Sequence, residues 1–410
     1  MNHLQLHAFF VQIALMLTVA WLFGYLMKKL AQPVVLGELI GGILLGPTFL
    51  GTVYPDAYTN LFPIDNAITT SIDALLKVGM LFFMFAAGLE INLIHFRQYK
   101  FSIATTSLLA GLVPFALGFG MVLLFPELWG QNNRPLLLAL FIGTALSISA
   151  LPVIARILID LNLIGTRTGM TIMASAMIND LIGWSLFAVI LGNLGQDHPA
   201  GNMLSTLAMI IAFAVFILGI GRWLVQPFLR RIHFFKDWPG GLLIFVSMLV
   251  MLAAAAAEKI GIHSIFGAFM VGIAMGQNQS QGQFSEQEKH IYSIIQLFAL
   301  NFFAPLYFVS VGLKVNFSSQ FDGILVLVVV LIACLGKILG ASLGARLGGM
   351  RWREAVSVGV GLNARGAIEI ILASVALEHQ LIDQRIFVAL VVMALATSII
   401  SGSLLKCLVK

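Results

Sequence analysis

Charge is scarce in this chain. Asp, Glu, Lys and Arg make up only 10% of its 410 residues, against about 25% in ordinary globular domains. With 60% hydrophobic residues and a mean hydropathy of +0.99, too little polar surface is left to clothe a water-soluble particle. Collagen, disordered tails, coiled coils and nucleic-acid-binding arms are excluded by the same composition. Cysteine is nearly missing. Cys334 and Cys407 stand alone, with no C-x-x-C pair and no disulfide framework. The start, MNHLQLHAFF, lacks a basic n-region and an A-x-A site, so it reads as a first helix and not a cleaved signal. No G-x-x-x-x-G-K-[ST] occurs, which removes ATP hydrolysis. H-E-x-x-H, clustered Ser/His/Asp and Cys/His sets are absent too, so neither an enzyme nor a resident cofactor is expected. The longest loops, near 51–71 and 222–240, leave no room for a soluble regulatory domain.

Long apolar runs are what the chain has in abundance. They predict an all-α polytopic membrane protein of about thirteen helices, near 7–27, 34–50, 72–90, 101–125, 135–158, 168–194 and 203–221, then 241–257, 262–276, 291–313, 322–345, 354–377 and 386–406. Basic residues test that count. Of the 23 Lys and Arg, Lys77, Lys337 and Arg365 fall inside spans. With the N-terminus outside, only Arg134, Lys259, Lys314 and Arg385 face outward, leaving sixteen inside. That asymmetry supports N-out, C-in, because cytoplasmic loops retain Lys and Arg. An integral protein of the cell (inner) membrane is the expectation.

Two spans are interrupted. The fifth, FIGTALSISALPVIARIL, carries Thr144, Ser147, Ser149 and Pro152. Proline cannot donate the helical hydrogen bond, and backbone groups freed in lipid must face protein or a wet cavity. The twelfth, GVGLNARGAIEIILA, is broken by glycines with Asn363 and Arg365. These helices are each the fifth member of a six-helix set, and an offset of seven inverts one set relative to the other. The expectation is one transmembrane transport domain over 1–410, with repeat one about 1–194, a linker helix about 203–221 and repeat two about 241–410. Inverted-repeat transporters bind substrate between such paired broken helices.

Ionisable groups inside a span are costly, hence functional candidates. Asn179-Asp180 lies at mid-depth of the sixth helix. A lone carboxylate there either holds a proton or takes a small cation as counter-ion. Competition of the two for one group is antiport in its simplest form. Asn179, Ser149 and carbonyls freed before Pro152 would complete an oxygen site for Na⁺ or K⁺. Lys337, mid-span on the eleventh helix, is expected to pair with Asp180 or to lose its proton. Arg365 and Glu369, four apart, share one helix face and read as a structural pair; Glu38 and Glu90 are the other partners open to Arg365. His263 reads as a helix cap or pH-modulating group.

The ordered segments LGELIGGILLGPTFLG (36–51), FMFAAGLEIN (83–92), ALSISALPVIARIL (145–158), SAMINDLIGW (175–184), FGAFMVGIAMG (266–276), PLYFVSVGLKV (305–315), GKILGA (336–341) and NARGAIEIILA (363–373) resemble the monovalent cation/proton antiporter superfamily. The branch is the Kef-type Na⁺(K⁺)/H⁺ antiporters, related to plant cation/H⁺ exchangers. The resemblance implies a Na⁺/H⁺ antiporter fold with crossed discontinuous helices, a homodimer and elevator-like alternating access. It makes Asp180 the essential carboxylate and Asn179 its pair position. Ser149 is a cation-lining residue, and Lys337 and Arg365 are the basic residues of the facing and second broken helices. One carboxylate exchanging one cation for one proton is electroneutral. A second proton on Lys337 would make exchange electrogenic, and a K⁺-permeable channel on the same core is the other reading.

Overall fold

In a computed structural model, residues 3–30, 32–63, 66–89, 99–130, 134–161, 163, 166–193, 203–220, 239–279 and 286–409 are described. Among these residues the chain is helical throughout, without strands. The helices are α1 (His3–Lys29), α2 (Val34–Leu45), α3 (Asn66–Leu89), α4 (Lys100–Leu124), α5a (Pro135–Ser147), α5b (Leu151–Asp160), α6 (Arg167–Gly192) and α7 (Met203–Ile220). They continue with α8 (Pro239–Lys259), α9 (Ser264–Gln279), α10a (Glu286–Phe298), α10b (Ala304–Lys314), α11 (Gly323–Leu347), α12a (Trp352–Leu362), α12b (Ala367–Glu378) and α13 (Gln384–Val409). Nine helical stretches of the described residues are long and apolar enough to cross a membrane. The interrupted α5 and α12 and the shorter α7 and α9 account for the other predicted spans.

The predicted boundaries need correction in three places. The second span stops at Leu45 because Gly46-Pro47 ends it, and two short helices, Leu50–Val53 and Pro55–Leu61, follow. The third begins six residues early, at Asn66. The tenth is relaxed by a π-helical turn at Ala299–Phe303, a local insertion that periodicity does not signal.

The chain divides into two compact units. One comprises residues 1–18, 59–95 and 191–307, where α9 lies against α3, α7 and α8. Here His263 Nδ1 accepts from the Ile265 amide at 3.3 Å, so this histidine caps α9. The other unit, residues 19–58, 96–190 and 308–410, contains both broken helices. Its core brings Leu151, Ile154 and Leu158 of α5b together with Ile172 and Ala176 of α6, Ala341 of α11 and Val358 of α12a.

Small residues let the helices of the second unit approach backbone to backbone. Along α11, Gly336, Gly340 and Gly344 face Pro114, Leu109 and Thr105 of α4. Gly359 of α12a sits against Ser342, and an added Cβ would lie 2.6 Å from the Ile338 carbonyl oxygen. Neither backbone can yield there. Gly359→Ala is therefore expected to destabilise the protein by about 1–3 kcal/mol, read as a lower unfolding midpoint of the detergent-purified protein; an unchanged midpoint would contradict this packing.

Candidate functional site

The first break falls at 148–150, just ahead of Pro152, where Ile148 turns extended (φ −74°, ψ 156°). The second falls at 363–366. A helix that ends inside the membrane leaves its last carbonyls without partners, so each needs a donor from elsewhere. The α5a carbonyls find two buried cations. Arg365 donates from Nη1 to Ala145 O at 3.0 Å and from Nη2 to Leu146 O at 2.6 Å. Lys337 Nζ donates to Ser147 O. Both cations stand where the negative end of the α5a dipole favours positive charge.

The two breaks also bond to each other. Ala150 N donates to Ala364 O at 3.0 Å, and Ser149 Oγ donates to Leu362 O at 3.0 Å. Ser398 of α13 donates its hydroxyl to Arg365 O. The segments thus cross as a closed set in which each supplies what the other lacks. Gly366 permits the close approach: a Cβ there would meet Val153 Cγ2 at 3.1 Å and Ala150 Cβ at 3.3 Å.

Asp180 of α6 reaches this crossing, only 3% exposed. Its Oδ1 accepts from Ser149 N at 3.4 Å, so the carboxylate faces the N-terminal side of α5b, the end of a half-helix that attracts anions. Asn179 is buried beside it, and neither its Oδ1 nor its Nδ2 has a protein partner. Asn179 Oδ1 is turned toward Gly111 of α4, whose missing side chain leaves room for it. A buried amide with both ends open, next to a buried carboxylate, suits an oxygen-seeking monovalent cation.

Ser149 meets Asp180 through its amide while its hydroxyl is turned to Leu362 O, and Asn179 precedes Asp180 in the chain with its Oδ1 toward Gly111. The expected Lys337–Asp180 ion pair is not formed. The two groups act on each other electrostatically, but the ammonium donates to the Ser147 carbonyl at the end of α5a. Arg365 pairs with Glu369 at 2.8 Å, both side chains buried, and not with Glu38. Glu90 lies outside the described residues. Sequence reasoning missed Ser398, although the polar cluster of Thr397, Ser398 and Ser401 in an otherwise apolar span was a readable signal, and all three are buried. It also missed that Asn363 Nδ2 anchors the second break to Cys334 Sγ at 3.5 Å.

Residues 13–410 match the family model described as "Sodium/hydrogen exchanger, transmembrane". The chain belongs to this family. Among its relatives, Cation/H(+) antiporter 18 of Arabidopsis thaliana is 33% identical over 402 residues, covering 95% of this chain and 48% of the plant protein. Na(+)/H(+) antiporter NhaS4 of Synechocystis is 33% identical over 400 residues, covering 96% of this chain and 95% of that protein. The chain thus spans about half the length of the plant relative and nearly all of the cyanobacterial one. The solved sodium proton antiporter MjNhaP1 of Methanocaldococcus jannaschii has the same fold, with a TM-score of 0.73 at 17% identity over 99% of this chain and 98% of that one. Family and helices together make the chain a multi-pass membrane protein.

Proposed function

We propose that the chain is a secondary antiporter that exchanges a monovalent cation, Na⁺, K⁺ or Li⁺, for H⁺, with the two ions competing for Asp180. One observation carries this reading: a buried carboxylate at the crossing of two broken helices has, among the described residues, a backbone amide as its hydrogen-bond donor and no ion pair, with an open amide side chain next to it in the chain. The other charges at the crossing, Arg365, Lys337 and Glu369, already have local partners. Arg365 and Lys337 cap carbonyls, and Glu369 neutralises Arg365. The carboxylate then needs a counter-ion that arrives from solution, either a proton or a cation. The names of the relatives agree with this chemistry.

The exchange is electroneutral in this proposal, because Lys337 serves as a helix cap and keeps its proton through the cycle. The crossing set of bonds would move as one body past a stationary region of a homodimer, carrying Asp180 from one side of an inner membrane to the other, with the N-terminus outside and the C-terminus inside. The two inverted repeats, about 1–194 and 241–410, joined by the helix at 203–221, form one transport domain in this scheme.

Reconstitution tests it. Proteoliposomes holding a pH dye should become alkaline inside when Na⁺ or K⁺ is supplied outside, at a rate that an imposed membrane potential leaves unchanged. A potential-dependent rate would replace this stoichiometry with two protons per cation, Lys337 carrying the second. Cation currents uncoupled from pH would overturn antiport. Lys337→Gln is expected to slow exchange without making it potential-dependent. Loss of the cap on a buried carbonyl should also destabilise the protein by about 1–3 kcal/mol, read in the same melting assay.

A further inference from the structure

The unit that holds the site is unevenly charged at its two ends. Lys100 begins α4, Arg167 begins α6, Arg346 closes α11, Arg351 and Arg353 flank the start of α12a, and Lys406 lies near the end of α13. Several contacts bring these termini to one end. Gly348 lies against Ser102, Arg167 Nη2 donates to Gly348 O at 3.2 Å, and Arg353 Nε donates to Leu408 O at 3.1 Å. At the opposite end the charges are matched: Lys314 pairs with Glu378 at 3.0 Å, and Arg385 with Asp383 at 3.1 Å and Asp322 at 3.8 Å.

The basic end has no such match among the described side chains. Its guanidinium groups rest on carbonyls and rings. Arg346 donates to Met350 O at 3.1 Å and lies 5.7 Å from the Trp352 ring centroid. Arg167 lies 5.6 Å from that of Tyr99. Among the described side chains the acid at this end is Glu354, whose Oε2 accepts from Arg351 N. The turn that carries Arg351 and Trp352 is tight, with Gly349 at φ 80°. Directly beside these cations stand exposed apolar groups: Trp352 at 55%, Leu347 at 65% and Phe101 at 69%.

We propose that this end, centred on Arg346, Arg351, Trp352 and Arg353, binds the phosphate headgroup of an anionic phospholipid. Unmatched positive charge calls for an anion. Exposed Trp, Leu and Phe at the same place call for an acyl chain and a headgroup-level ring. A soluble anion satisfies the charges but leaves the apolar rim in water, and a zwitterionic lipid covers the rim but brings its own cation to the arginines. A phosphodiester lipid with net negative charge satisfies both.

Native mass spectrometry of the detergent-purified full chain tests this, with phosphatidylglycerol, phosphatidylcholine of the same acyl chains, and inorganic phosphate as probes. Phosphatidylglycerol should be retained at least tenfold better than phosphatidylcholine, and inorganic phosphate should not displace it. Each interfacial charge contributes about a fivefold effect, so the R346Q/R351Q/R353Q variant should bind phosphatidylglycerol roughly a hundredfold more weakly. The R351Q variant, changed at one exposed residue, should lose about fivefold and guards against misfolding of the triple variant. K314Q at the opposite end should bind as the unaltered protein does. Unchanged lipid affinity in R351Q and the triple variant, equal retention of the two lipids, or displacement by phosphate would overturn the proposal. Lipid retention is read without ion exchange, so failure here is distinct from failure of antiport.

Discussion

Cation-driven proton movement in proteoliposomes is expected to fall to the level of empty liposomes in Asp180→Asn, while the protein stays folded. The substitution keeps the shape of the side chain and one oxygen for Ser149 N, whose bond to Oδ1 is long at 3.4 Å. It removes a buried charge at the crossing that, among the described residues, has neither an ion-pair nor a carbonyl partner. An amide cannot release a proton when a cation arrives, so the two ions are uncoupled. Asp180→Glu restores the charge one methylene further out and should recover part of the exchange. The same competition fixes the sign of the pH effect on the unaltered protein. Where the protonated form dominates, each unit of falling pH should raise the apparent cation dissociation constant about tenfold, the linkage of one proton to one site. Calorimetry in two buffers of different ionisation enthalpy would register that proton as it leaves. Retained exchange in Asp180→Asn, or cation binding that releases no proton at any pH, would sink the mechanism.

Arg365→Gln should be the most destabilising single change in the second unit, and clearly worse than Glu369→Gln. Breaking a buried ion pair by removing one partner costs about 3–5 kcal/mol, a cost both variants share. Arg365 does more than pair. Its guanidinium also serves the Ala145, Leu146 and Ala333 carbonyls, and its loss leaves at least the first two at an interrupted helix end with no donor. Each buried acceptor left unmade adds about 1–3 kcal/mol. Arg365→Lys retains the charge but not the planar fork that reaches two carbonyls and a carboxylate together, so it should rescue only in part. Unfolding midpoints of the purified variants decide the matter. Equal losses in Arg365→Gln and Glu369→Gln would reduce Arg365 to a simple ion-pair partner of Glu369.

The functional elements were legible where chemistry is local. Asp180 stands out because a carboxylate with apolar neighbours on both sides of a span has no surface to reach. Ser147, Ser149 and Pro152 mark a break because proline removes a donor wherever it sits. Spacing put Glu369 on the same helix face as Arg365 but left Glu38 and Glu90 open as partners, and the structure chose Glu369. What failed was the partner of Lys337. From the sequence a buried ammonium looks for a carboxylate, and Asp180 was the obvious candidate. The carbonyl the ammonium donates to instead, Ser147 O, is free only because α5a ends there. No residue type announces a backbone acceptor. Ser398 was missed for a similar reason, as its partner is again a carbonyl, that of Arg365.

By itself the sequence determined that the chain lives in a bilayer, that it is helical throughout, and that Asp180 lies deep in an apolar span. Hydropathy and charge are properties of each residue against its solvent, and they need no neighbour. Tertiary structure alone decided which broken end meets which donor. The crossing of 148–150 with 363–366 joins positions more than two hundred residues apart, and hydrogen bonds forced on interrupted helices in lipid are assigned by proximity in space, which is why Arg365 and Lys337 hold carbonyls and Asp180 meets the Ser149 amide.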